Sequence, residues 1–358
     1  MFGASFDLCS DEMDELYMSN RLEIPFFPGI DMSIVYPHVV EEMPLGDPTK
    51  SKQAKNGADK FLNKLSSDEQ ELVRHALARE GGETEVLVQI EANSVQRKSL
   101  KRLIGKKWID DEAVTFWFKL LAQEDYKLCK KDTNRKGSAF FTSFFATKLL
   151  NEGNHVMDGE YSYRNVSNWA SKLMKGVGGD IFEMDKIFFP FNCGRCHWVC
   201  AVVDMKRKTI FIVDSMGGNH TRYLQHLFRY LQDEHKIKKG SPLPEVEKWR
   251  VMHNSVAGGI PLQENGYDCG VFTCMFAYFL LMDFPLVFTQ EHINESRKWM
   301  VLSILKQQIL PKISALQEEA SSTLQEEACG DAGYGHSAAA VVTPRAPNYV
   351  DCDLTQDD

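Results

Sequence analysis

Residues 197–214 read HWVCAVVDMKRKTIFIVD: two apolar runs, Trp198 to Val203 and Thr209 to Val213, separated by the polar stretch DMKRK. Short β-branched and aromatic runs bracketing a charged turn predict an antiparallel hairpin. With the hairpin centred between Met205 and Lys206, Val203 faces Lys208 and His197 faces Asp214, and directly opposed Cβ atoms lie about 4.5–5.5 Å apart. A carboxylate at that distance can fix the imidazole tautomer and stabilise the imidazolium. A plain surface His/Asp pair fits the same spacing, and a slip of one residue separates the two side chains.

Around this hairpin the pattern is helical on both sides. Ser67 and Gln70 form a capping box ahead of Leu72, Val73, Ala76 and Leu77, with Gly81 and Gly82 as the stop. Glu85 to Ile90 reads as a strand. Asp110 and Asp111 can cap a helix whose apolar face is Val114, Trp117, Phe118 and Leu121. Beyond the hairpin, Leu224 to Leu231 predicts a helix, Trp249 to Met252 a short strand, Val271 to Leu281 a buried apolar helix, and Glu291 to Leu310 a long amphipathic one. Central strands with helices before and after predict an α+β class rather than an alternating doubly wound sheet.

The 358 residues are 43% hydrophobic and 25% charged, which excludes a collagenous, wholly disordered or disulfide-scaffold chain. The net charge of −9 is uneven: residues 315–358 hold nine acids and one base, residues 1–60 eleven acids and five bases, and the body between them is +5. That body is far from the basic stripe of a nucleic-acid binder, so no nucleic-acid partner is expected. All six tryptophans fall between Trp108 and Trp299 and no phenylalanine follows Phe288, so the expected folded domain is 66–314. It lies between an irregular acidic region, 1–65, and a disordered acidic tail, 315–358. No apolar run reaches the length of a membrane span. The acidic start does not read as a secretory signal, and nine cysteines, an odd count, favour reduced thiols inside the cell.

The chemistry concentrates at Gln263 to Gly270 (QENGYDCG), just before the apolar helix. Cys269 falls in the first turn of that helix, where unpaired N–H groups and the positive end of the dipole favour thiolate. Gly270 lets a substrate approach the backbone, and Gln263 can aim a side-chain amide at a developing oxyanion. The alternative for Cys269 is a buried small hydrophobe, the reading taken for Cys274. Trp198 and Trp108 can be substrate contacts, although a tryptophan is more often core or hairpin packing. Cys193, Cys196, His197 and Cys200 lie close enough in sequence to suggest a zinc module in which His197 is a ligand, although no second C-x-x-C completes it.

His197-Trp198, Asp214 to Gly218 (DSMGG) and QENGYDCG together resemble the catalytic signatures of the Ulp/SENP family, cysteine proteases specific for SUMO-type modifiers. Trp108 to Glu112 (WIDDE), Phe140 to Leu150, Tyr230 to Gly240 and Phe288 to Ile293 extend the resemblance over roughly 66–312. It implies a papain-like α+β fold with a central mixed sheet flanked by helices, and a thiol isopeptidase needing no cofactor. Cys269 is then the nucleophile, His197 the base and acid, Asp214 its orienter and Gln263 the oxyanion donor. Trp108 and Trp198 wall a tunnel for a Gly-Gly tail, and Asp111 pairs with an arginine of SUMO. The implied partners are a SUMO-type modifier and its conjugates, acted on by a monomer in the nucleus, with the nuclear envelope or cytoplasm as alternatives. A deneddylating protease and a non-catalytic modifier binder are the alternatives. Ile34 to Glu42 and Val350 to Thr355 loosely resemble SUMO-interacting segments.

Overall fold

The structure, a computed structural model, describes residues 65–310 apart from 79–81, 155–156, 176–178, 253–259 and 285. The acidic amino-terminal region, the acidic tail and the two SUMO-interacting-like segments lie outside the described residues. In chain order the elements are α1 (Ser67–Ala76), β1 (Val86–Ile90), β2 (Asn93–Gln96), α2 (Arg97–Arg102), α3 (Asp111–Lys131), β3 (Ser138–Phe140) and α4 (Phe144–Leu149). There follow α5 (Trp169–Met174), β4 (Lys186–Cys193), β5 (His197–Asp204), β6 (Thr209–Val213), α6 (Thr221–Lys239), β7 (Arg250–Met252), α7 (Cys269–Leu281) and α8 (Ile293–Leu305).

β1 and β2 pair as a separate hairpin, while the other five strands form one sheet in the order β3-β4-β5-β6-β7. Its outer pairs, β3/β4 and β6/β7, are parallel and its inner pairs antiparallel, so the sheet is mixed, as the α+β reading required. Every residue of β5 and β6 is buried. Phe188 stacks on Phe140, which meets Phe118 of α3; its neighbour Phe189 points the other way, to Phe141, Phe145 of α4 and, through them, Tyr230 of α6. Helices thus cover both faces of β4, and each large side chain so buried contributes about 1.5–3 kcal/mol.

β4 escapes the sequence pattern because Pro190 sits in the middle of it, where proline argues against a central strand. The Phe188 carbonyl accepts from Phe141 N–H, so alternate backbone groups of β4 face the β3 side. Pro190 also faces that side, at a level where β3 has already ended at Phe140. No ladder hydrogen bond is lost.

Three local expectations are corrected. The hairpin turns through Met205–Lys208, with Asp204 opposite Thr209 and Cys200 opposite Val213; Val203 therefore faces Ile210 rather than Lys208, and direct pairing ends before His197 and Asp214. The left-handed φ of +49° at Lys208 accommodates this longer turn. The capping box belongs to Ser66 and Glu69, one residue earlier than read, and α1 stops at Leu77 before the glycines. The long carboxyl-terminal helix is shorter, a 3-10 turn at Gln290–His292 leading into α8.

Candidate active site

The register error was two residues, and a shift of two leaves side chains on the same face of a strand. Asp214, just past the end of β6, still reaches His197 at the start of β5, with Oδ1 2.6 Å from Nε2. Asp214 is fully buried and His197 is 4% exposed. The same Oδ1 accepts from Met216 N–H at 2.8 Å, while Oδ2 accepts from Gly218 N–H at 2.7 Å and from His220 Nε2 at 2.9 Å. Burial would raise this carboxyl, but the hydrogen bonds from His197 and His220 outweigh it and hold Asp214 well below the usual carboxylate range.

The His197 ring also hydrogen-bonds with Cys269. With Nε2 bonded to Asp214, proton exchange with the thiol falls to Nδ1. Burial works against the imidazolium, yet the bonds to Asp214 and Cys269 prevail and push His197 up to about 10. Cys269 opens α7, a helix with almost every side chain buried. Its N-cap, Asp268, makes no side-chain cap bond because that carboxylate is committed to Arg297. Among the described residues the Cys269 N–H has no acceptor, so the helix start presents a donor beside its own thiol.

Gln263 is pinned from both ends. Its Oε1 accepts from Ser215 Oγ at 2.6 Å, its backbone N–H donates to Ser215 O at 2.9 Å, and its Nε2 donates to the Asn265 carbonyl. Ser215 follows Asp214 directly, so the residue that places the histidine's carboxylate also ties in the loop carrying the amide.

The tryptophans join the same segments. Trp108 Nε1 donates to Gly266 O at 2.7 Å and Trp198 Nε1 to Ile109 O at 3.2 Å. A Cβ on Gly270 would lie 2.4 Å from Ile109 Cγ1 and 3.1 Å from Trp198 Cδ1. Gly270 is thus required by the packing of α7 against these residues. In the acidic run that opens α3, Asp110 takes the cap, accepting from Ala113 N–H and from Ser99 Oγ, and Glu112 accepts from Gln96 N–H. Among the described residues Asp111 has no such partner; burial and its two acidic neighbours raise its carboxyl. It borders a cavity of about 340 Å³ shared with Asn93, Ser99 and Phe144.

The zinc grouping of Cys193, Cys196, His197 and Cys200 does not assemble. Among the described residues, the His, Cys, Asp and Glu ligand atoms that gather within 4.8 Å are those of His197, Asp214 and His220. Cys193 Sγ instead lies 3.8 Å from His220 Nδ1. His220 and Arg297 escaped the sequence reading, since neither carries a pattern of its own, and Ser215 entered it only as a letter of DSMGG with no role assigned.

The profile of the Ulp1 protease family, C-terminal catalytic domain, matches residues 107–309. Human sentrin-specific protease 2 is 33% identical over 249 residues, which make up 70% of this chain and 38% of that protein. Ubiquitin-like-specific protease 1A of Arabidopsis thaliana is 31% identical over 244 residues, 68% of this chain and 45% of that protein. This chain therefore spans less than half the length of these relatives. The X-ray structure of the C-terminal Ulp1 protease domain in complex with Smt3, the yeast ortholog of SUMO, superposes with a TM-score of 0.55 at 26% identity, covering 69% of this chain and 98% of that one. No described helix is long and apolar enough to cross a membrane. With a profile match over more than half its length and a papain-like α+β sheet beneath it, the chain belongs to the Ulp1 protease family.

Proposed function

We propose that the protein is a thiol isopeptidase and endopeptidase that cleaves after the carboxyl-terminal Gly-Gly of a SUMO-type modifier, freeing it from lysine conjugates or from its precursor. The observation that carries this reading is the continuous line Cys269–His197–Asp214, closed by the 2.6 Å bond at its far end. His197, oriented by Asp214, takes the Cys269 proton as the sulfur attacks the carbonyl carbon of the last glycine. The tetrahedral oxyanion faces the Cys269 N–H and the Gln263 amide, and His197 delivers its proton to the leaving amine. Water, deprotonated by the same ring, then hydrolyses the thioester. Trp198, only 3% exposed, is the fixed wall of the Gly-Gly tunnel, and Trp108, held by its N–H, is the wall nearer the surface. Asp111 supplies a carboxylate for an arginine of the modifier. The nuclear setting, the monomeric state and the domain limits 66–314 belong to the same proposal.

The test offers the protein SUMO, Nedd-type modifier and ubiquitin, each with a carboxyl-terminal electrophile. The SUMO probe should label the wild-type chain quickly and fail on Cys269→Ala, with the other two slow. Equal labelling of the Cys269→Ala variant would refute the nucleophile, and preference for the Nedd-type probe would replace the modifier.

A further inference from the structure

Asp214 serves two histidines. On Oδ1 stand His197 and the Met216 N–H, and on Oδ2 stand His220 and the Gly218 N–H. The two rings lie 6.2 Å apart at 21° to each other. Behind His220, Cys193 Sγ sits 3.8 Å from Nδ1, so a second Cys–His arm mirrors the first across one carboxylate. Burial pushes the Cys193 thiol well above its ordinary range, which keeps it a thiol able to donate S–H to Nδ1 and leaves the imidazole proton on Nε2. The arm ends there: Cys193 is buried and makes no nucleophile. A Cβ on Gly218 would stand 2.9 Å from Asp214 Oδ2 and 3.2 Å from His220 Nε2, so the second glycine of DSMGG leaves room for this contact.

Resting on the function proposed above, we infer that His220 is a positioning residue for the reaction: its Nε2–H holds Oδ2 of Asp214 so that Oδ1 stays aimed at His197 and tempers the pull of that carboxylate on the His197 proton. A carboxylate with a donor removed becomes a stronger acceptor for those that remain, and a general acid held too tightly gives up its proton slowly. The titratable groups around His220 are Asp214, His197, Cys193 and Tyr223, whose rings or polar atoms face it, with Glu152 hydrogen-bonded behind Tyr223. The effect expected at His197 therefore traces to one bond, and two substitutes of like shape, one with the donor and one without, separate that bond from packing.

Gln and Met are nearly isosteric, and only Gln carries a donor that reaches where Nε2 stands. With a SUMO substrate, His220→Gln should keep kcat near wild type, and His220→Met should lower kcat about 3- to 30-fold at unchanged KM, the value of one lost neutral hydrogen bond to a charged group. The titration of His197, followed by NMR of ring-labelled histidine, should move up by about 0.5–1 pH unit in His220→Met alone. Equal behaviour of the two variants, or a loss confined to KM, overturns the inference. Should His220→Met fail to fold, the wild-type spectrum decides: His220 must be the Nε2–H tautomer, and an Nδ1–H tautomer overturns the inference. Because that spectrum needs no substrate, failure of the SUMO assignment leaves it readable, and a wild type inert toward SUMO counts against the proposed function alone.

Discussion

Arg297 of α8 and Asp268, the residue before Cys269, form a buried ion pair, with Nη2 2.5 Å and Nε 2.9 Å from Oδ1. The remaining guanidinium hydrogens reach the carbonyls of Arg102, Leu103, Lys107 and Tyr267. Asp268 Oδ2 in turn accepts from Asn265 at 2.7 Å and Gln290 at 2.8 Å. One side chain, 2% exposed, thus ties the segment leading into Trp108 to the loop that presents the thiol. Both charges are fully hydrogen-bonded, the condition under which a buried pair is tolerated.

Arg297→Met should therefore cost about 3–5 kcal/mol, because it strands the Asp268 carboxylate in the interior. Arg297→Met combined with Asp268→Leu should recover much of that loss while leaving the Cys269 loop poorly placed and capture by a SUMO electrophile slow. Urea unfolding of the two variants checks the stability, and a single-variant cost below about 1 kcal/mol would remove Arg297 as the strut.

The His197–Asp214 pair predicts a pH window for stability. His197 is raised from 6.5 to about 10, so its contribution is complete below pH 6.5 and is lost as pH rises toward 10. Asp214 is lowered from 3.8, so its contribution is complete above that value and is lost as pH falls below it. The stability gap between wild type and Asp214→Asn should be widest from about pH 4 to 6.5 and narrow on both sides. A gap that instead grows from pH 7 to 10 would mean the pair is not ionised as described. In catalysis Asp214→Asn should lower kcat strongly, though less than His197→Ala, because a misoriented imidazole is still a base.

The strands and helices with one strong pattern were readable because their burial is one-sided or complete: Thr209–Val213 is the apolar run itself, and Asp110 caps α3 as its sequence suggests. β4 was hidden by Pro190, whose exemption depends on where β3 ends, a tertiary fact. Turn length was hidden as well, since DMKRK fits a two- or four-residue turn equally and only the packed sheet selects one. The His197–Asp214 contact survived because the error was even; an odd error would have turned Asp214 away. Cys269, His197, Asp214 and Gln263 carry recognisable motifs, whereas His220, Ser215 and Arg297 act only through what the fold brings beside them.

Among the described residues Asp111 is the acid of its run without a hydrogen-bond partner, and burial, with like charges on both sides, opposes its ionisation. Asp111→Asn should therefore raise the stability of the free protein by roughly a few tenths of a kcal/mol. The same change should weaken SUMO capture by about 1–3 kcal/mol where the arginine it meets is desolvated. Opposite signs in melting temperature and probe affinity are the expected result. A loss in both would make Asp111 a structural residue.

Ser215 and Gln263 should act as one unit. The hydroxyl donates to Oε1 and thereby fixes which way the amide is turned, the orientation that the proposed oxyanion donor Nε2 needs. Gln263→Ala should lower kcat by roughly 10- to 1000-fold with little change in KM, the range for one lost oxyanion donor. Ser215→Ala frees the amide to turn its oxygen inward and should cost about 3- to 10-fold, the value of one neutral hydrogen bond. Because that serine works through the amide, Ser215→Ala should add nothing to Gln263→Ala, a complete coupling in the double-mutant cycle. Additive losses would separate the two residues, and a loss confined to KM would make Gln263 a contact to the bound tail instead of a donor to the transition state.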